Sequence, residues 1–426
     1  MEVFKYMHET VTRTIKDSIV VGVERQGDTY FDYGMEELEN LTRALDLNPV
    51  ASLTQKLQTP NQATYLGSGK VTELSRLIAS FDVDLVIFND ELTPSQIRNL
   101  EKELEVTVYD RTMLILDIFG ERAKTNEAQL QVEIARLKYL LPRLVGMRAS
   151  LSRQGGSGSG LANRGAGETK LELDRRKIES RISALEKELE VVVERRQTQR
   201  QKRKTEGIPV VALVGYTNAG KSSLLNAFVT EKQEKKVFEK DMLFATLDTS
   251  VRRVEMQKNM PFLLADTVGF VSKLPTHLVK AFRSTLEEAR EADLLLHVVD
   301  YSSSYYKEMM RTTENTLKEL EIDQPLLSVY NKMDRVEARE WSTEKDEIFL
   351  SAKTGEGLDR LVESIQANVF THYIKKALHI PYEDSKAFAY VNEHTHILEQ
   401  LEEDTGWYVE TMMHEKHASL VTQYEK

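Results

Sequence analysis

Gly215-Tyr216-Thr217-Asn218-Ala219-Gly220-Lys221-Ser222 has the spacing G-x-x-x-x-G-K-[ST]. It follows the apolar, β-branched run Val210-Val211-Ala212-Leu213-Val214 and precedes the helix-forming stretch Ser223 to Phe228. A strand, a glycine loop and a helix in that order make a polyphosphate cradle. The glycines let the backbone curl until its N–H groups and the helix N-terminus face negative charge. Lys221 would then reach the β- and γ-phosphates, and Ser222 would offer its hydroxyl to Mg²⁺.

Further pieces follow in the order a nucleotide switch needs. Phe262-Leu263-Leu264-Ala265 reads as a strand delivering Asp266-Thr267-Val268-Gly269, where Asp266 would hold Mg²⁺ through water and the Gly269 N–H would sense the γ-phosphate. Leu294 to Asp300 reads as another buried strand, and Leu326 to Tyr330 leads into Asn331-Lys332-Met333-Asp334. The Asp334 carboxylate can accept hydrogen bonds from guanine N1–H and the exocyclic amine; adenine lacks that donor pair, so the expected base is guanine. Ile348-Phe349-Leu350 then feeds Ser351-Ala352-Lys353, which resembles the loop that closes over guanine. Singly, NKMD is a common turn sequence and DTVG can simply end a strand. In this order, each after its own strand, they resemble the P-loop GTPases of the translation-factor-like class from residue 208 to about 372.

Two positions bear on the hydrolysis step. Between the phosphate loop and DTVG, Phe244-Ala245-Thr246-Leu247-Asp248-Thr249 holds two threonines that could close the Mg²⁺ and γ-phosphate shell and release it on hydrolysis. Similarity to Obg and Era relatives, which show a T-L pair here, favours Thr246, with Thr249 as the alternative. The Mg²⁺ set is thus Ser222, Thr246 and, through water, Asp266. Phe270 stands where Ras-like enzymes place the glutamine that orients the attacking water. A phenyl ring makes no such hydrogen bond, so no catalytic side chain is assigned and slow unaided hydrolysis is expected. Asn218 has two readings: relatives with asparagine at this place bind K⁺ there, or the residue only shapes the loop.

The rest of the chain must position these groups. Its 426 residues carry 57 Lys+Arg against 68 Asp+Glu, a net charge of −11, with 41% hydrophobic residues. That is an ordinary globular composition, long enough for several cores. Zero cysteines exclude disulfides, thiolate metal sites and a cysteine nucleophile, and fit a reducing cytosol. No window approaches the roughly 18 apolar residues of a membrane span, and Met1 to His8 has no apolar run of signal-peptide length, so a cytoplasmic protein is expected.

The expected class is α/β and multidomain, in four parts. An N-terminal α/β domain (1–125) alternates bursts such as Ile19 to Val23, Val83 to Phe88 and Val106 to Tyr109 with helical stretches at Val71 to Ser80 and Pro94 to Leu104. An antiparallel helical hairpin (126–205) carries one stripe of Leu130, Ile134, Leu137 and Leu141 and another of Ile178, Ile182, Leu185, Leu189 and Val192. A P-loop GTPase domain with a doubly wound, mostly parallel sheet (208–372) and a small C-terminal α/β domain (373–426) complete the chain.

Within the hairpin, residues 152–168 hold six of the 20 glycines, with Arg153 and Arg164 among them, and suit either a flexible linker or a functional loop. Arg143 to Lys204 holds 16 Lys+Arg against 8 Asp+Glu, either a footprint for a phosphate backbone or a solvated helical face. Residues 373–426 reverse the balance, with 5 Lys+Arg against 10 Asp+Glu.

From about residue 18 to 372 the chain resembles the HflX family of ribosome-associated GTPases. The matching stretches are Tyr65-Leu66-Gly67-Ser68-Gly69-Lys70, Asp110-Arg111-Thr112, Leu116-Asp117-Ile118-Phe119, Gln131-Val132-Glu133, Gly165-Ala166-Gly167-Glu168-Thr169 and GYTNAGKS. One departure is ETKLE at 168–172 where ETQLE is expected, and the tail from Tyr373 matches loosely.

The resemblance implies a Mg²⁺-dependent GTPase, partly ribosome-associated, that binds the large subunit and its rRNA and splits stalled or inactive ribosomes after stress; the free protein is expected to be monomeric, although the sequence does not fix its oligomeric state. RNA contacts would come from Arg153, Gly155, Gly156, Gly158, Gly160 and Arg164 at the tip and from Arg200, Lys202, Arg203 and Lys204 on the second helix. The family is also credited with ATP binding or RNA remodelling through its N-terminal part, but Gly67-Ser68-Gly69-Lys70 is too short for a second P-loop. Two other readings stand beside this one: a GTPase factor in subunit assembly, which would share every nucleotide motif, and a switch acting on another protein, which would have no need of the basic hairpin.

Overall fold

A computed structural model describes residues 16–144, 163–206, 208–228, 250–255, 260–275, 278, 286–336 and 347–426; in the helix at 163–206, side chains are described for 172–196. The chain divides into two compact units, one of residues 1–193, 242–244 and 272–282, the other of 194–241, 245–271 and 283–426.

In the first unit, β1 (Lys16–Glu24), β2 (Leu47–Lys56), β3 (Leu85–Phe88) and β4 (Thr107–Asp110) form a parallel sheet in the order β2-β1-β3-β4. Its connections run through α1 (Phe31–Ala44), α2 (Ser68–Phe81), α3 (Pro94–Leu104) and, after β4, α4 (Arg111–Arg122). Ile19, Val20, Val21, Val86, Ile87 and Phe88 are fully buried, which explains why their runs are apolar without alternation. Local chemistry starts the helices. Thr93 and Gln96 form a reciprocal capping box with Pro94 at the first turn of α3, and Asp110 accepts the Met113 N–H at 2.8 Å at the start of α4.

Helix α5 (Asn126–Leu140), capped by Thr125, and α6 (Asn163–Glu206) pack through the two expected stripes: Leu130, Ile134 and Leu137 meet Ile178, Ile182 and Leu185, with Leu141, Leu189 and Val192 alongside, and Leu144, beyond the end of α5 and outside the expected stripe, joins the same cluster. Helix α6 begins at Asn163, so the last six residues of the glycine-rich stretch expected as loop are helical. Each glycine inside a helix costs about 1 kcal/mol against alanine, which a helix of 44 residues absorbs through its cooperativity. Residues 145–162, with Arg153, Gly155, Gly156, Gly158 and Gly160, lie outside the described residues.

The first unit also contains a buried charged cluster, built around the arginine of Asp110-Arg111-Thr112. Arg111 is 1% exposed; its guanidinium pairs with Glu37, donates to Asn89 Oδ1 at 2.9 Å, and donates to the Ser272 carbonyl at 3.2 Å and hydroxyl at 3.0 Å. Ser272 Oγ in turn donates to Glu37.

In the second unit, β5 (Val210–Gly215), β6 (Ser250–Glu255), β7 (Pro261–Asp266), β8 (Leu294–Asp300), β9 (Leu326–Asn331) and β10 (Glu347–Phe349) form a sheet in the order β10-β9-β8-β5-β7-β6, parallel except where β6 meets β7. Helices α7 (Lys221–Phe228), α8 (Glu287–Arg290), α9 (Tyr306–Glu319) and α10 (Leu358–Val369) accompany it. A second sheet, β11 (Tyr373–Pro381), β12 (His396–Glu403) and β13 (Gly406–His414), in the order β11-β13-β12, carries α11 (Ser385–His394) and α12 (Glu415–Val421). This sheet is antiparallel throughout. Two residues, Asp404 and Thr405, join β12 to β13, and so short a connection permits only an antiparallel pair.

Arg111→Ala would leave the Glu37 carboxylate buried without its cation, a change that costs about 3 to 5 kcal/mol. Hydrogen exchange under urea is expected to show that loss across 31–44 and 111–122; an effect below about 1 kcal/mol would mean that the cluster does not hold the unit together.

Candidate functional site

In a parallel sheet the functional groups gather beyond the carboxyl ends of the strands. Here β5, β7, β9 and β10 deliver the four sequence motifs to that edge. β5 lies between β8 and β7, and its last residue, Gly215, has φ +148° with an added Cβ falling 2.2 Å from the Val298 carbonyl oxygen, so only glycine fits. Gly220 (φ +95°) is equally constrained, since a Cβ there would lie 2.2 Å from Asn331 Nδ2. Between them Asn218 sits in the left-handed region at φ +59°, a conformation asparagine tolerates better than most residues.

The loop wraps around its own lysine. Lys221 is buried and donates from Nζ to the carbonyls of Gly215 (3.1 Å) and Tyr216 (2.8 Å). Burial pushes its ammonium down to about 8, with Asp266 pulling upward and Lys332 downward. Next along the helix, Ser222 Oγ donates to Asp266 Oδ2 at 2.7 Å. A hydroxyl and a carboxylate together at the loop's rim are hard oxygen donors, the set that suits Mg²⁺. Ser223 is half-buried and Ala219 fully buried.

Asp266 and Thr267 are fully buried, and Thr267 Oγ1 donates to the Leu213 carbonyl at 2.6 Å, fixing the end of β7 to β5. Val268 is buried. At Gly269 an added Cβ would fall 2.8 Å from Thr217 Cγ2 and 3.0 Å from Lys221 Nζ, so this glycine lets the segment lie directly against the phosphate loop. Phe270 is 2% exposed; its N–H donates to the Gly215 carbonyl at 3.1 Å and its carbonyl accepts from the Thr217 N–H at 2.8 Å. Its ring belongs to the interior.

The base-reading loops are joined through one amide. Asn331, 2% exposed, donates from Nδ2 to the Ala219 carbonyl at 2.9 Å and accepts at Oδ1 from the Ala352 N–H at 3.0 Å. Lys332, in the left-handed region at φ +67°, pairs with Asp300 at 2.7 Å. Asp334 Oδ1 accepts from Ser351 Oγ at 2.7 Å, and that bond holds the carboxyl below its ordinary range. The Met333 side chain is fully buried with Val299, Tyr330 and Phe349, which leaves only its backbone for a ligand; Lys353 is exposed.

The structure therefore brings together the phosphate loop, Asp266 to Gly269, Asn331 to Asp334 and Ser351 to Lys353. Phe244, Ala245, Thr246, Leu247, Asp248 and Thr249 lie outside the described residues, and nothing is described of the side chains of Arg164, Arg200, Lys202, Arg203 and Lys204 on α6. Sequence reading missed Asp300 as the partner of Lys332, although its place at the end of a strand was a usable signal. It also missed His297, buried on β8 with its imidazole pushed down to about 4 by burial and then by Lys221, hence neutral near pH 7.

Three family models match in succession: a GTP-binding GTPase N-terminal region over residues 32–120, a GTP-binding GTPase middle region over 122–203 and a 50S ribosome-binding GTPase over 210–332. The GTPase HflX of Caldanaerobacter subterraneus subsp. tengcongensis is 46% identical over 373 residues, 87% of this chain and 85% of that protein. The GTPase HflX of Escherichia coli K12 is 38% identical over 359 residues, 83% of each. Among solved structures, a GTP-binding protein from Sulfolobus solfataricus in complex with GDP aligns with 84% of this chain and 99% of its own at 24% identity and TM-score 0.43. On matches that run from the first sheet through the phosphate loop to the base-reading motif, this chain belongs to the HflX family of GTPases.

Proposed function

We propose that this GTPase binds GTP with Mg²⁺, turns it over slowly when alone and faster on the ribosome, and uses the cycle on the large ribosomal subunit to separate stalled or inactive ribosomes under stress. The observation that carries the nucleotide part is the Asn331 amide, which ties the phosphate loop to the loop beside Asp334, so that one rigid frame addresses both ends of a nucleotide. Asp334 keeps acceptor capacity beyond its bond to Ser351, because a carboxylate has about four lone-pair sites. Those sites face the guanine donors in this reading.

Ser222 and Asp266 would hold Mg²⁺, Asp266 through water, with Thr246 completing the set. Bound there, the ion would neutralise charge between the β- and γ-phosphates. Lys221 would leave its loop carbonyls for phosphate oxygens, and the Gly269 N–H would meet the γ-phosphate. No side chain is assigned to orient the attacking water, since the Phe270 ring is buried and apolar. A K⁺ beside Asn218 would supply part of the missing charge stabilisation.

The ribosomal part rests on the family and on charge. The long, basic α6 and the Gly/Arg tip would supply phosphate contacts through Arg153, Arg164, Arg200, Lys202, Arg203 and Lys204, with Gly155, Gly156, Gly158 and Gly160 allowing close approach to RNA.

Asp334→Asn is expected to shift preference from guanosine to xanthosine nucleotides by at least tenfold; unchanged GTP affinity in nucleotide titrations would remove Asp334 as the base reader. GTP affinity has a pH signature as well. The free protein's Lys221 loses its proton as pH rises through about 8, while a bound polyphosphate would hold it charged. Binding thus takes up protons above that pH and should weaken steadily between roughly pH 8 and 10, and a flat profile would contradict a lysine–phosphate contact. In turnover assays, ribosomes should accelerate hydrolysis at least tenfold, with K⁺ exceeding Na⁺ only while Asn218 is present. Deleting Gly155 to Gly160 should abolish the acceleration and spare nucleotide binding; full acceleration without that loop would return it to linker status.

A further inference from the structure

The two edges of the antiparallel sheet β11-β13-β12 are finished differently. On the β11 side the end of the chain closes the edge: Glu425 forms a bridge with Leu378, and the Lys426 N–H donates to the Ala377 carbonyl at 3.1 Å. On the β12 side, among the described residues, no strand follows. Leu398, Glu399, Gln400, Leu401 and Glu402 are all exposed there, Leu398 at 46% and Leu401 at 49%. The register slips by one residue at Leu398, so the continuous row of backbone donors and acceptors that such an edge offers to an extended chain runs from Glu399 to Glu403.

Charge decides which chain that is. β12 contains no Lys or Arg, while Glu399, Glu402 and Glu403 lie on it and Asp404 follows. Glu399 lies directly across from Glu410, a like-charge opposition that costs stability, and Lys375 already takes Glu410 at 2.8 Å. Glu403 meets His379 and Lys426, both at 3.4 Å, but among the described residues Glu399 and Glu402 have no ion-pair partner. A second copy of this strand would bring the same carboxylates into register and be repelled. RNA has no peptide backbone to join the ladder, and its phosphates meet the wrong sign.

We propose that β12 is a docking edge for an extended, Lys/Arg-rich protein segment of the large ribosomal subunit. The segment adds as a fourth strand, sets its cations on Glu399 and Glu402 and covers Leu398 and Leu401 with apolar side chains. This rests on the ribosomal reading above and divides the labour on the ribosome: the basic α6 meets RNA and the acidic sheet edge meets protein.

The test places a photoreactive benzophenone amino acid at Leu401 of the full chain, mixes it with purified large ribosomal subunits, and maps cross-links by mass spectrometry alongside cosedimentation. The expected result is cosedimentation with cross-links to a basic stretch of one subunit protein, reduced at least tenfold in the Glu399→Lys, Glu402→Lys double variant. Both glutamates are exposed, so that variant should unfold as the parent does, which circular dichroism checks. Cosedimentation with cross-links to rRNA, to a second copy or to nothing, or cross-linking that the charge reversal leaves intact, overturns the docking edge alone. Failure of the unmodified chain to cosediment overturns the ribosomal reading and this inference with it.

Discussion

The carboxamide of Asn331 is the constraint on which the nucleotide site depends. A buried amide has to satisfy both its ends, and this one does so by bonding the carbonyl of Ala219 in the phosphate loop and the N–H of Ala352 in the last loop. Three loops from strands β5, β9 and β10 thereby lose their independence. The same crowding forbids a side chain at Gly220, whose Cβ would strike Asn331 Nδ2, and Gly215 is held bare by the neighbouring strand β8. The glycines of the motif are therefore needed twice, for their backbone angles and for the space that the framework already occupies.

What was legible in the sequence follows from where information is local. The strands ending in GYTNAGKS and DTVG are buried almost throughout, so their apolar runs are unbroken, whereas β9 starts at the exposed Leu326 and carries Ser328, and β10 is a short edge strand; all four motifs nonetheless begin within a residue or two of a strand's end. The α3 helix was readable to the residue because Thr93, Pro94 and Gln96 form its start. By contrast β2 reads Leu47-Asn48-Pro49-Val50 and is mostly half-exposed, so it sends neither an apolar run nor a clean alternation. The start of α6 at Asn163 defeated a composition argument, since glycines weaken a helix without forbidding one.

The Arg111 cluster was legible only in part. Asp110-Arg111-Thr112 stood out by resemblance, but nothing in the sequence says that the arginine is buried or that Glu37, Asn89 and Ser272, up to 235 residues apart, surround it. Side-chain partnerships across that distance are made by topology. Charge is the opposite case. The excess of cations between Arg143 and Lys204 and of anions after Tyr373 is plain in the sequence, and the second becomes informative only when the sheet shows which edge carries the glutamates.

The most direct test of the account mixes the purified protein with intact ribosomes and either GTP or GDP, then follows subunits and ribosomes through a sucrose gradient. The account predicts that GTP moves ribosomes into separated subunits with the protein on the large one, and that GDP does not. Intact ribosomes under both nucleotides, with the protein held only on immature large-subunit particles, would contradict it and identify an assembly factor instead.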